Sequence, residues 1–471
     1  MTAYTHPVRL SEGGQFADIE DIPVFAIPSR MDGEIYLGKI ISGERWTPEN
    51  GYKTPFPYRL NGSTNMHHIF FSGESRSGKT VMATRFVVET ALKTRRQGKR
   101  MRVVVLDPKQ DWRVLSRFIE PERFNFYSLG NPEFHPIKLN LLRIPEGVRP
   151  QIYADGIIEA FCRSYQLGEK VKPILRDAIY ASYEEAGCFC EAWRQVAPVN
   201  SKRVTFPLIT QRIKKKMEDL KAMRATASIL EAYERILDRL DMFTKSYTIE
   251  YQLFGTGGDE GLSIDEILGE DDVTVLESFG LDPTFKMFVF GAITTSIWNY
   301  CYAHEGGFKS EDQYSTLLVI EEANEVLIGG TDDAIKGTST FEKIVDQAAG
   351  LELFICAITQ KIADMPPSII ANTGLAFSMK ISREEDKNVF MNKIGKDPRI
   401  DDKNILKFLP KMPTGWCICK AGRTFDYKEA EPVLIAVDRL DLDPPSNKEL
   451  NEILNDKEVT IKLSANQYSI K

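Results

Sequence analysis

The residues of this 471-residue chain whose types and spacing could do chemistry begin with Gly73-Glu74-Ser75-Arg76-Ser77-Gly78-Lys79-Thr80. The order is G-x-x-x-x-G-K-[ST]. Apolar Ile69-Phe70-Phe71 precedes it and Val81-Met82-Ala83 with Phe86-Val87-Val88 follows, so a buried strand, a tight loop and a helix are expected around it. Gly73 and Gly78 let the backbone wrap until successive N–H groups face phosphate oxygens. A helix opening near Lys79 adds the positive end of its dipole. In that setting residues 73 to 80 cradle phosphates, Lys79 reaches the β- and γ-phosphates, and the Thr80 hydroxyl holds Mg²⁺. The chemistry expected is the binding of a nucleoside triphosphate.

Two acids complete the set. Thr316-Leu317-Leu318-Val319-Ile320 reads as an apolar strand ending in Glu321-Glu322. Beside a P-loop, the first acid holds the hydration shell of Mg²⁺ and the second polarises the attacking water. Glu321 stands where Asp is usual, and its extra methylene is tolerable if the metal contact runs through water. Leu353-Phe354-Ile355-Cys356-Ala357-Ile358 is the next strand, ending at Thr359-Gln360, where Gln360 can sense a γ-phosphate or orient water. Asp107 and Asp111 follow the strand Val103–Leu106. The carboxyl ends of strands in open α/β sheets face the ligand crevice, so these acids either line the site or build a turn on Asp107-Pro108.

The elements that must position these groups alternate strand and helix. Residues 1–65 are a short β-rich segment, half of a barrel, with strands at Ile22–Pro28 and Glu34–Ile40. Residues 66–145 and 271–438 carry the nucleotide-binding core. Between them, residues 146–270 read as a helical insertion, with helical spacing over Gln151–Tyr165, Lys172–Glu185 and Leu208–Thr244. The core resumes at the strand Val273–Glu277 and a long helix through Asn299. Phe377-Ser378-Met379-Lys380-Ile381 alternates as a half-exposed strand would, and Trp416–Lys420 and Pro432–Val437 close the sheet. Residues 326–340, with Gly329, Gly330 and Gly337, are expected to form a mobile loop, and residues 439–471 a polar arm. Two basic runs, Lys93–Arg102 and Arg212–Lys216, read first as solvated helix surface and second as DNA contacts.

Composition bounds the class. At 42% hydrophobic and 27% charged, the chain can bury a substantial core. A net charge of -7 argues against a broad nucleic-acid-coating surface and leaves room for a local DNA-gripping channel. Seven cysteines without a C-x-x-C pair argue against zinc and for a reduced, intracellular protein. The N-terminus lacks signal-peptide form. The longest apolar stretch, Met287–Cys301, includes Thr294, Thr295, Ser296 and Asn299 and is too short and polar to span a bilayer. A cytoplasmic location is expected.

The ordered set of P-loop, Glu321-Glu322 and Thr359-Gln360 resembles the HerA/FtsK superfamily of ring-forming ATPases, nearest its HerA branch and related to the ATPases of type IV secretion. His68 before the P-loop strand matches that family. So do Asp107-Pro108-Lys109-Gln110-Asp111-Trp112 for its D-P-H-G-E-Y segment, the stretch from Thr359-Gln360 through Met365–Thr373, and Leu409-Pro410 with Gly415-Trp416. The likeness runs from about residue 35 to 438.

It implies a RecA-like P-loop core with a mainly parallel sheet. It also implies ATP with Mg²⁺, a homo-hexamer with ATP between subunits, and double-stranded DNA in the pore. A partner such as a nuclease is implied as well. A neighbour's Arg would stabilise the transferring phosphoryl group, with Arg383 the first candidate and Arg423 the second. Three departures stand out. Arg76 occupies a place often held by Gly, Gln347–Leu351 lacks the family's basic residues, and the N-terminal barrel is shortened. The leading expectation is an ATP-driven DNA translocase or helicase. The alternatives are an ATPase scaffold ring regulating a defence effector and a motor for conjugation or DNA uptake.

Overall fold

Strand residues that alternate between two apolar faces require cover on both sides, and the chain supplies it. In the computed structural model, which describes residues 25, 35–41, 56–60, 68–96, 100–189, 198–269, 273–304, 314–326, 347–394, 402–421, 432–438, 440 and 443–455, the chain forms β1 (Ile35–Ile40), β2 (Phe56–Leu60), β3 (His68–Ser72), α1 (Lys79–Arg96), β4 (Arg100–Asp107) and β5 (Phe124–Ser128). Four main helices follow: α2 (Pro150–Ser164), α3 (Lys172–Glu185), α4 (Phe206–Ala222) and α5 (Ala227–Leu240). Then come β6 (Val273–Glu277), α6 (Pro283–Ala303), β7 (Tyr314–Glu321), β8 (Leu353–Thr359), β9 (Thr373–Ser378), α7 (Glu384–Ile394), β10 (Trp416–Ala421), β11 (Val433–Val437) and α8 (Asn447–Asn455).

One sheet takes all eleven strands, in the order β2-β1-β11-β10-β9-β3-β8-β7-β4-β6-β5. From β9 to β5 every pairing is parallel. From β9 through β10, β11 and β1 to β2 every pairing is antiparallel. The fold is therefore the α/β P-loop core with a mainly parallel sheet that the resemblance implies. The described strands of the N-terminal segment extend this sheet, since β1 pairs with β11. Strands β10 and β11 thus lie inside the sheet rather than closing it. Of the expected strand Ile22–Pro28, only Phe25 is described, and it is buried.

Ile69, Phe71, Val103, Val105, Leu317 and Val319 point to the face covered by Met82, Phe86 and Val87 of α1. Phe70, Val104, Leu106, Leu318 and Ile320 point to the other face, toward Tyr153 and Ile157 of α2 and Phe288 and Ile293 of α6. A period of two on a doubly covered sheet gives continuous apolar runs. This explains why β4, β7 and β8 are legible as such. The helices of residues 150–254 share the α2–α6 face through an aromatic cluster in which Phe161, Phe206, Phe243 and Phe288 pack edge-on, tilted or, for Phe161 and Phe206, stacked. Helix α6 starts on Pro283, with Asp282 accepting from the backbone of Thr284 and Phe285.

Three local expectations are corrected. The strand near residue 377 spans Thr373–Ser378 and is not half-exposed. It lies between β3 and β10, and Ser378, Met379 and Ile381 are buried; the Ser378 hydroxyl is satisfied by the Met379 carbonyl at 2.9 Å. Arg102 is not on a solvated helix end. It is buried in β4, donates to the Gly269 carbonyl at 2.6 Å and lies over the Tyr300 ring. The polar arm contains a docked helix, α8, with Leu450 and Ile453 buried. Lys214, Lys215 and Lys216 are exposed on α4, as expected. His68 is buried and accepts from the Ile355 backbone N–H at 3.0 Å, just where the β3–β8 ladder begins.

The 326–340 loop lies outside the described residues beyond Val326, as do Arg423 and Cys190. The other six cysteines are buried and form no disulfide among the described residues. Among the described residues no helix is long and apolar enough to cross a membrane.

Candidate nucleotide site

The strands of the parallel half deliver their carboxyl ends to one crevice. β3 delivers residues 73–80, β4 delivers 107–112, β7 delivers Glu321-Glu322 and β8 delivers Thr359-Gln360. The P-loop is shaped by its backbone. Gly73 has φ +148 and Gly78 φ +104, and a Cβ on Gly73 would stand 2.8 Å from the Met379 Cβ. Arg76, where the family often has Gly, is also left-handed at φ 61 with its side chain exposed. The Glu74 N–H donates to the Lys380 carbonyl at 2.8 Å, and Gly415 N–H donates to the Ser77 carbonyl at 3.2 Å. Thus the segment after β9 and the start of β10 brace the loop from behind. Inside it, Ser77 Oγ and Lys79 Nζ both donate to the Glu74 carbonyl at 2.7 Å. Burial pulls the Lys79 ammonium down to about 8, with Glu322 opposing and Lys109 reinforcing the shift. Ser75 is exposed beside Arg76.

Helix α1 presents Thr80 on its first turn, and its hydroxyl donates to Glu321 Oε1 at 3.2 Å. The other oxygen of Glu321 accepts from Trp112 Nε1 at 2.6 Å. Burial raises the Glu321 carboxyl above its ordinary range, and the Trp112 hydrogen bond opposes the rise. Glu322, in the left-handed region at φ 52, turns its carboxylate to a different set. Gln360 Nε2 donates to its Oε1 at 2.9 Å, and the Lys109 ammonium pairs with the same oxygen. Lys109 also stands 3.9 Å from Glu321 Oε1. Thr359 Oγ1 donates to Asn324 Oδ1 at 2.9 Å, tying the ends of β7 and β8 together.

Asp107 both ends its strand and builds the turn. Its carboxylate accepts from the backbone of Lys109, Gln110 and Trp112 at 2.8, 3.1 and 3.0 Å. Burial pushes it up to about 7, with the neighbouring Glu321 charge adding to the rise. Asp111 is raised too, by burial. Behind this loop Arg113 forms a buried two-pronged pair with Glu277 at 2.5 and 2.7 Å, and Gln110 donates to the same carboxylate at 3.2 Å. Arg113 also donates to Asn447 Oδ1 of α8 at 2.7 Å.

The structure therefore brings Lys79, Thr80, Glu321, Glu322 and Gln360 together. It leaves Arg383 elsewhere. That guanidinium pairs with Asp364 and Glu385 at 3.2 Å and with Asp386 at 3.8 Å, and among the described residues it has no hydrogen bond or ion pair to the P-loop or to the two acids. Sequence reasoning assigned no role to Lys109, Trp112 or Arg113. The signal for Lys109 and Trp112 was the D-P-K-Q-D-W segment at a strand end, and Arg113 follows directly after it.

Thr80 and Glu321 offer hard oxygen donors, the kind Mg²⁺ takes. Among the described residues no group of three or more His, Cys, Asp or Glu could hold a metal alone. A Thr–carboxylate pair of this sort suits an ion that shares its shell with water and substrate phosphates. The glycine cradle, where a Cβ on Gly73 would collide, leaves the backbone free to approach phosphate oxygens.

Solved structures with a similar fold exist. VirB4 of Thermoanaerobacter pseudethanolicus superposes with a TM-score of 0.62 at 15% identity, over 88% of this chain and 99% of that one. The chain has the fold of that structure. The plasmid coupling protein TrwB bound to the GTP analogue GDPNP superposes at 0.56 with 10% identity, over 90% of this chain and 98% of that one. TrwB with the ATP analogue ADPNP superposes at 0.52 with 11% identity over the same shares. No protein-family model and no curated protein sequence matches the chain. The shared fold is the α/β fold that the motifs led one to expect.

Proposed function

We propose that this chain hydrolyses ATP in a homo-oligomeric ring, expected to be a hexamer, and uses the cycle to move double-stranded DNA. The observation that carries the reading is the convergence of Lys79 and Thr80 with Glu321, Glu322 and Gln360 at the ends of three neighbouring strands. Lys79 binds the β- and γ-phosphates. Thr80 and Glu321 would hold Mg²⁺, which when bound neutralises charge on the β- and γ-oxygens. Glu322 accepts the proton of the attacking water, and Gln360 keeps that carboxylate oriented. For Arg383 to serve a neighbouring subunit, its guanidinium must first leave Asp364, Glu385 and Asp386.

The test is Mg²⁺-dependent hydrolysis of ATP and GTP by the full chain, with and without double-stranded DNA, alongside mass measurement in each state. DNA stimulation of several-fold together with a ring supports translocation. A persistent monomer, or material that neither retains nor cleaves nucleotide, removes the reading.

A second reading, a motor for conjugation or DNA uptake, draws on the likeness to VirB4 and to TrwB, a bacterial conjugative coupling protein, over most of the chain. A HerA-type translocase feeding a nuclease differs from it in partner. Co-purification with a soluble nuclease favours the first, and with membrane-pore proteins the second. Hydrolysis indifferent to DNA but altered by a bound effector indicates a scaffold ring.

A further inference from the structure

The proposed chemistry leaves one charged group of the crevice without a task. Lys109, on the turn after β4, pairs its ammonium with Oε1 of Glu322 and stands 3.9 Å from Oε1 of Glu321. The first oxygen also accepts from Gln360 and the second from Thr80. Lys79 feels the Lys109 charge from the P-loop side. Lys109 thus approaches both carboxylates, while Lys79 donates to the Glu74 carbonyl within reach of their charge.

The two oxygens differ in what they have left to give. A carboxylate oxygen offers about two acceptor directions, and at Oε1 of Glu322 the Lys109 ammonium and the Gln360 amide fill both. That oxygen can take a proton from water only after one of them departs. Gln360 sits on β8's end with half-buried surroundings, whereas the Lys109 side chain is 42% exposed on a flexible four-carbon stem. An ammonium is a compact point charge that moves readily between anions. A terminal phosphate bound beside Lys79 offers it more negative charge and more acceptor oxygens than one carboxylate.

We infer that Lys109 reads the terminal phosphate: it leaves Glu322 for the γ-phosphate of a bound triphosphate and so frees Oε1 of Glu322 to face water. The inference rests on the ATP reading above. It makes this lysine a cis-acting cation in a chain whose Gln347–Leu351 segment lacks basic residues. A diphosphate has no such oxygen to offer, so with ADP the ammonium stays on Glu322.

The test is equilibrium binding of a non-hydrolysable ATP analogue and of ADP, each with Mg²⁺, by the full chain. Lys109→Ala and Lys109→Gln are expected to weaken the triphosphate analogue by about ten- to a hundred-fold, the loss of one charge-assisted contact. ADP affinity is expected to stay within about two-fold, and Lys109→Arg to restore most of the difference. Glu322→Gln releases Lys109 beforehand, so triphosphate affinity is expected to rise, and the rise to vanish when Lys109→Ala is added. Equal weakening of both nucleotides, or no weakening of either, overturns the inference while leaving the ATP reading standing. Wild-type protein that binds neither nucleotide overturns both.

Discussion

Residues 73–80 and residues 107–117 both reach the Glu321 carboxylate, one from β3 and the other from β4, and they are held in opposite ways. The P-loop is a backbone structure: left-handed Gly73, Arg76 and Gly78, with carbonyls and N–H groups tied to Lys380 and Gly415. The loop after β4 is a side-chain structure. Asp107 caps three backbone N–H groups, Arg113 is locked to Glu277, and Trp112 reaches the buried oxygen of Glu321. A backbone cradle presents generic donors to any phosphate. A side-chain scaffold fixes particular atoms, and here it fixes the acid that faces Thr80. The division of labour that follows is grip on one side and alignment on the other.

Substitutions can break that division. The largest effect belongs to the grip: Lys79→Ala is expected to weaken nucleotide binding by about a hundred-fold or more, read by fluorescent-nucleotide titration. Binding that survives would remove the P-loop from the chemistry. Next, Glu322→Gln is expected to keep nucleotide bound while turnover falls about a hundred- to ten-thousand-fold. If Glu321→Gln stalls and Glu322→Gln turns over normally, the two acids have exchanged roles.

Trp112→Phe tests the alignment side alone. It keeps an aromatic side chain, smaller by the ring that carries the N–H orienting Glu321, so the Mg²⁺ needed for half-maximal hydrolysis should rise by about ten-fold with ADP affinity in the absence of Mg²⁺ unchanged. An unchanged Mg²⁺ requirement would reduce Trp112 to packing.

The smallest effect concerns Asp107. Its native carboxyl titrates near 7, above the ordinary Asp range, so the folded chain holds the proton more tightly than the unfolded one. The stability it contributes is fully present at acidic pH below about 4 and is lost as pH rises toward about 7. Asp107→Asn should flatten that part of the profile of thermal midpoint against pH. A profile of unchanged slope would show that the acid is ionised in the fold.

What could be read from residue order was local. The P-loop is a contiguous pattern with its strand and helix attached, and β6, β7 and β8 are apolar runs bounded by turns. Helices α2 and α3 declared themselves by spacing, α4 and α5 did so as one stretch that the structure divides, and the acids by their place at the end of β7. Contacts across long separations were silent. Trp112 and Glu321 are 209 positions apart, and Gly415 backs a loop more than three hundred residues earlier. The pairing of β1 with β11, which joins the two ends of the chain in one sheet, carries no local mark either. Residues 377–381 misled because polar side chains in alternation normally signal solvent, whereas Ser378 finds its partner in the carbonyl of the next residue, Met379.

The link from Arg113 to Asn447, with Arg117 near Glu449 and His135 on Asn451, means that α8 is no dispensable trailer. Trimming the chain before residue 446, a natural economy when preparing shorter versions, would pull a pin from the mounting of Trp112 and unsettle chemistry more than three hundred positions upstream. Reporters or affinity handles fused beyond this helix therefore need a spacer that leaves its contact face clear.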